Sequence, residues 1–142
     1  MTSRLFTVDS VNRLLPQLER HLAAAREAGS DLQFVAEQVQ DLEALWGSAI
    51  EDSEGRDREE YVALTRRLVA RQEEFHQAVG AIHALGGVLK DVANGLVDFP
   101  TERGDSFVYL CWKAGEAEVT HFHSLGSGFG ARRPVAELAH HG

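Results

Sequence analysis

Val11, Leu14, Leu18, Leu22, Ala25, Leu32, Val35, Val39, Leu42 and Trp46 recur at steps of three and four, and Gly29 stands at the one position of the series without an apolar side chain. A heptad-like series of this kind fits a helix that buries one face along its whole length. Phe6-Thr7-Val8-Asp9-Ser10-Val11 leads into it. Thr7 is a cap that accepts from first-turn N–H groups, Asp9 complements the positive helix end, and Phe6 with Val11 makes a hydrophobic staple. The helix is expected over residues 8–46, about 58 Å at 1.5 Å per residue. Pro16 removes one ladder bond and implies a local kink or a later start. Gly29-Ser30-Asp31 offers a stop and restart, but the apolar phase passes through it without a slip, which favours one continuous helix.

Gly47 to Arg58 carries Glu51, Asp52, Glu54, Gly55 and Asp57 and reads as a polar, acidic connection. A second helix is expected over residues 57–85, with Tyr61, Leu64, Leu68, Phe75, Val79, Ile82 and Leu85 as its stripe and Gly86-Gly87 as its stop. The two helices form an antiparallel hairpin. After Gly87 the period changes to two. Val88, Lys90 and Val92 alternate with their neighbours, Asn94-Gly95 signals a tight turn, and Leu96-Val97-Asp98-Phe99 is a short run ending at Pro100. Ser106–Trp112 and Glu118–His123 flank Lys113-Ala114-Gly115-Glu116 as a further hairpin. The fold class is therefore α+β, a long antiparallel helical hairpin followed by a small antiparallel β-sheet over residues 88–123, with a glycine-rich loop and tail over 124–142.

At 142 residues the chain has the length of one domain, 1–142. Its 14 Lys and Arg against 22 Asp and Glu give a net charge of −8, which opposes a phosphate backbone and argues against nucleic acid. No signal-peptide core and no run near the roughly 18 apolar residues of a membrane span is present, so a cytoplasmic chain without membrane contact is expected. Cys111 is the only cysteine, which excludes an internal disulfide and a cysteine-based zinc cage. Phe107, Tyr109 and Cys111 point to one side of their strand and Val108, Leu110 and Trp112 to the other, so both sides need cover. The helices supply one cover. The other side, and the open parts of two long stripes, point to a homodimer, with a four-helix core as one arrangement.

His121 and His123 leave the same face of a strand with backbones about 6–7 Å apart, close enough to share a divalent metal. Asp98, Asp91 or Glu102 could supply the carboxylate a two-histidine site needs. The competing reading is two amphipathic rings satisfied on backbone carbonyls. Gly126-Ser127-Gly128-Phe129-Gly130-Ala131-Arg132-Arg133-Pro134 joins flexible backbone to two guanidinium groups, which bind carboxylate or phosphate in a bidentate way. It lacks the Lys-Ser/Thr ending of a P-loop. Alternatively, Arg132 and Arg133 pair with the protein's own carboxylates. An adjacent strand brings Cys111 near His121 or His123, which could serve as base to a thiol nucleophile, but its place between Leu110 and Trp112 in the most apolar strand reads as a buried inert thiol. His140 and His141 lie in the short tail.

Phe6-Thr7-Val8, Asn12, Leu14-Leu15-Pro16, Leu89-Lys90-Asp91, Gly95-Leu96-Val97-Asp98-Phe99-Pro100, Val108-Tyr109-Leu110-Cys111-Trp112, His123, Gly128-Phe129 and Arg132-Arg133-Pro134 together resemble the bacterial family called domain of unknown function 2203. The resemblance spans nearly the whole chain and brings no known activity, substrate or cofactor. It implies that a site, where there is one, draws on Asp98, Trp112, His123, Arg132 and Arg133. The family pattern carries acidic residues after the histidine and shortly before Gly-Phe, and this chain has Ser124 and Gly126 there.

Two functions are consistent with these features. The leading one is a dimeric, non-catalytic assembly or ligand-binding module with a C-terminal site for a small anion or protein partner at Arg132, Arg133 and Trp112. The other is a metal-dependent hydrolase or oxygenase using His121, His123 and Asp98, with the arginines orienting an anionic substrate.

Overall fold

The computed structural model describes residues 5–138, and His140 and His141 lie outside the described residues. Helix α1 runs Val8–Trp46 without a break at Pro16 or Gly29. Its start is a reciprocal cap: the Ser10 N–H donates to Thr7 Oγ1 at 3.1 Å and the Thr7 N–H to Ser10 Oγ at 2.8 Å. Helix α2 is Gly55–Ala84. Between them Gly47–Asp52 forms a 3-10 turn that buries Ile50, an anchor inside a segment whose charges read as wholly polar.

Strands β1 (Val88–Asp91), β2 (Leu96–Arg103), β3 (Ser106–Lys113), β4 (His121–Ser124) and β5 (Arg133–Pro134) form an antiparallel sheet in chain order. The fold is α+β, as the change of period predicts. Element ends shift by a few residues, with β4 at His121–Ser124 where the sequence predicts Glu118–His123 and α2 starting at Gly55 where it predicts 57, and two larger details differ from the sequence reading. Strand β2 does not stop at Pro100 but pairs with β3 through Arg103. Pairing with β1 ends at Asp98, so at Pro100 the strand has a free edge, where its carbonyl accepts the Phe6 N–H at 2.9 Å. A missing ladder donor costs little on such an edge. The second difference is β5, two residues of the glycine-rich tail that pair with His121 and Phe122.

The described residues divide into two compact units, one of residues 5–22 together with 79–138, the other Ala23–Ala78. In the first, Val97, Phe99, Leu110, Trp112 and Phe122 from one sheet face pack with Val11, Leu15, Leu18, Leu22 and Ile82. In the second, α1 and α2 run antiparallel around Val35, Val39 and Leu64. Asp31 accepts from both Arg67 and Arg71, and Trp46 Nε1–H donates to Asp57 at 2.8 Å. Gly29 explains the gap in the apolar stripe, since a Cβ there would stand 3.3 Å from the Phe75 ring. Among the described residues no helix is long and apolar enough to cross a membrane.

Candidate functional site

The sheet face that does not pack on α1 and α2 holds the polar groups. Strand alternation puts Asp98 of β2, Tyr109 and Cys111 of β3, and His121 and His123 of β4 on this face, because Val97, Phe99, Leu110, Trp112 and Phe122 take the other. Register then decides which of them meet. Asp98 stands opposite Cys111 and Cys111 opposite His121, whereas His123 stands opposite Tyr109.

His123 leans over Cys111 so that its Nε2 lies 2.9 Å from Asp98 Oδ2, with both side chains at least 97% buried. Its Nδ1 lies 2.8 Å from the Ser124 carbonyl oxygen. A carbonyl can only accept, so Nδ1 carries a hydrogen. Nε2 and Oδ2 then share one further proton, and the pair is neutral as a whole whichever atom holds it. Asp98 Oδ1 is buried and accepts no hydrogen bond. The Cys111 thiol beside it is pushed up to about 12, first by burial and then by the Asp98 charge, so it stays protonated at neutral pH.

A small pocket of about 110 Å³ is lined by Lys90, Leu96, Asp98, Cys111, His123, Ser127, Gly128 and Phe129. Lys90 Nζ sits 4.8 Å over the Tyr109 ring. The glycine-rich segment thus covers this part of the face from within the chain. Arg132 anchors that cover: its guanidinium donates to Glu116 Oε2 at 2.8 Å and to the Cys111 carbonyl at 3.3 Å, and stacks 4.5 Å from the centre of the Phe129 ring.

The structure brings together two of the three residues read from the sequence as metal ligands, Asp98 and His123. It places His121 apart from them, half-buried, with Nδ1 2.8 Å from Thr120 Oγ1. In its place stands Cys111: among the described residues, Asp98, Cys111 and His123 have ligand atoms within 4.8 Å of one another. Of the anion candidates, Arg132 pairs with Glu116 and Arg133 with Glu137. Trp112 lies in the core on the other face and donates Nε1–H to the Glu116 carbonyl at 2.9 Å. Sequence reasoning brings Cys111 near His121 or His123 through an adjacent strand but misses its contact with Asp98, and misses Lys90 as a wall of the pocket; alternation puts Cys111 on the polar face, but only register sets it beside Asp98.

No curated protein and no solved structure matches the chain. Residues 4–135, nearly the whole length and every residue of the site, match the family described as "Uncharacterized conserved protein (DUF2203)", and the chain belongs to that family.

Proposed function

We propose that this chain is a binding module that takes a small polar ligand into the pocket over Asp98, Cys111 and His123. One observation carries the reading: Asp98 Oδ1, buried and bordering the pocket, accepts no hydrogen bond. A buried carboxylate oxygen without a partner costs about 1–3 kcal/mol or more, and a ligand that brings a cation or donor recovers it. Binding is favoured over nucleophilic catalysis because the thiol is held protonated. Arg132 and Arg133, each engaged by a glutamate, leave Lys90 as the cation lining the pocket. Thermal-shift measurement of metal-free protein against small amines, amides and amino acids tests the reading. Ligands are expected to raise the melting temperature of the parent and not of Asp98→Asn. A full panel with no shift in the parent counts against it.

The second part of the proposal is self-association through the helical unit. Phe34, Leu45 and Val69 there are 54%, 73% and 61% exposed, an apolar display that a further copy of the chain would cover. Light scattering at micromolar concentration is expected to give twice the chain's 15.6 kDa, and Phe34→Glu with Val69→Glu to return it to one chain. A parent mass of 15.6 kDa would end this part alone.

A further inference from the structure

We infer that Asp98, Cys111 and His123 are the ligands of a divalent cation of the zinc class, bound through a carboxylate oxygen, Sγ and Nε2, with one position left open to the pocket. The inference deepens the binding reading above and rests on it.

Four observations converge. The three ligand atoms already lie within 4.8 Å of one another. Around a tetrahedral zinc-like ion, metal–ligand distances of about 2.0–2.3 Å set ligand atoms roughly 3.3–3.8 Å apart, within reach of small side-chain shifts. The bond from Nδ1–H to the Ser124 carbonyl fixes Nε2 as the nitrogen able to offer a lone pair, the outer support that metal-bound imidazoles commonly have. Asp98 Oδ1 is a buried acceptor without a partner. Finally, the site lies under a pocket, and three protein ligands with an accessible fourth position are the arrangement of zinc centres that bind a further molecule.

Charge selects the valence. The site holds two replaceable protons, one on the thiol and one between Nε2 and Oδ2. A divalent ion that displaces both to solvent leaves thiolate, carboxylate and neutral imidazole around two positive charges, so the buried cluster is neutral before and after. A monovalent ion in the same exchange leaves a net buried charge. One sulfur, one nitrogen and one oxygen suit zinc or cobalt, whereas calcium and magnesium take oxygen cages. Thiol burial does not bar this exchange, since a coordinating cation deprotonates the thiol outright.

The test is titration of the full, metal-stripped chain with Co²⁺, followed by Zn²⁺ competition. One Co²⁺ per chain is expected, with thiolate-to-cobalt charge-transfer absorption in the near ultraviolet. Cys111→Ser should abolish that band and weaken Co²⁺ binding by more than about 100-fold, beyond the loss typical of an outer-shell partner. His121→Ala should change neither. A parent that keeps its circular dichroism yet takes up no Co²⁺, or takes it up without the band, overturns the inference. So does loss of binding in a folded His121→Ala with retention in Cys111→Ser. If Cys111→Ser does not fold, the band of the parent decides alone. Failure here leaves the binding reading to stand or fall on the thermal-shift panel with metal-free protein.

Discussion

Asp98 and His123 sit on strands that are not neighbours, yet their side chains meet at 2.9 Å across the strand that separates them. The contact spans the position of Cys111, which pairs with Asp98 on one side and His121 on the other. A polar bond that bridges two strand spacings ties three strands together on a face that helices do not cover. Its partners have little water to fall back on, so the pair is both a structural tie and the floor of the pocket.

Breaking the pair from either side is expected to be costly. His123→Leu takes the imidazole from Asp98 Oδ2 and leaves the buried carboxylate only the weak thiol donor of Cys111, and Asp98→Leu leaves Nε2 unpaired while Nδ1 keeps the Ser124 carbonyl. Removal of one member of a buried pair costs about 3–5 kcal/mol. Urea unfolding should show losses of this size in each single variant, while His123→Leu with Asp98→Leu together should recover part of the loss. Additive losses in the double variant would show that the two groups act independently.

Cys111 should answer to pH at the alkaline end. Its thiol lies about 12 in the folded chain against an ordinary 9.0, with burial the main cause. The folded state therefore holds the proton more tightly than the unfolded one, and the associated stability is present below pH 9.0 and lost as pH rises toward about 12. Cys111→Ala should flatten this alkaline decline in a plot of melting temperature against pH. In the parent at pH 8, iodoacetamide should label Cys111 only as fast as the protein opens.

Helix existence was legible because period and caps are local: ten apolar positions set the phase of α1 and Thr7 marks its start, although the reciprocal partner of Thr7 is Ser10, which the sequence reading did not single out. The acidic link hid Ile50, whose burial depends on packing and not on composition. Pro100 misled as a strand end because a sequence does not show which edge of a strand is free. In the site, Asp98 and His123 could be singled out by residue type. Strand adjacency brings Cys111 near a histidine, but its contact with Asp98 was not legible, since register depends on the turn at Gly104 and on strand pairing, and a slip of one residue sends every side chain to the other face. The pairing of Arg132 with Glu116 was open for the same reason: the acids are visible, but which one meets the guanidinium is set by tertiary packing.

The two adjacent arginines should differ sharply on truncation. The Arg132 side chain is 12% exposed and pairs with a 24% exposed Glu116, whereas Arg133 and Glu137 are 49% and 37% exposed. Arg133→Ala removes a surface pair worth about 0–1 kcal/mol. Arg132→Ala takes the guanidinium from the Cys111 carbonyl, from Phe129 and from Glu116, which keeps only the Lys113 N–H, and this should cost about 2–3 kcal/mol. The same variant should open the pocket, read as faster hydrogen exchange over residues 124–131 with no change in α1. Equal effects of the two substitutions would remove Arg132 from its role as anchor of the cover.

Gly95 gives the sheet a backbone test that does not involve the site's ionisable groups. Its φ is +70°, and a Cβ there would stand 2.5 Å from the Ala114 Cβ and 3.2 Å from Leu22 Cδ2. Neither neighbour can retreat easily: the Ala114 N–H donates to the Gly95 carbonyl at 2.9 Å, and Leu22 is in the core. Left-handed backbone at a non-glycine residue costs about 1 kcal/mol or more, and overpacking adds about 1–3 kcal/mol. Gly95→Ala should therefore lose roughly 2–4 kcal/mol in urea unfolding, the sum of these two costs. Gly126→Ala is the control, because nothing lies within 4 Å of its added Cβ; it should stay within about 0.5 kcal/mol of the parent. A Gly95→Ala chain as stable as the control would mean that the β1–β2 turn gives way to the added methyl group, and that the β2–β3 end of the sheet is held by side-chain packing and not by the close approach of Gly95 to Ala114.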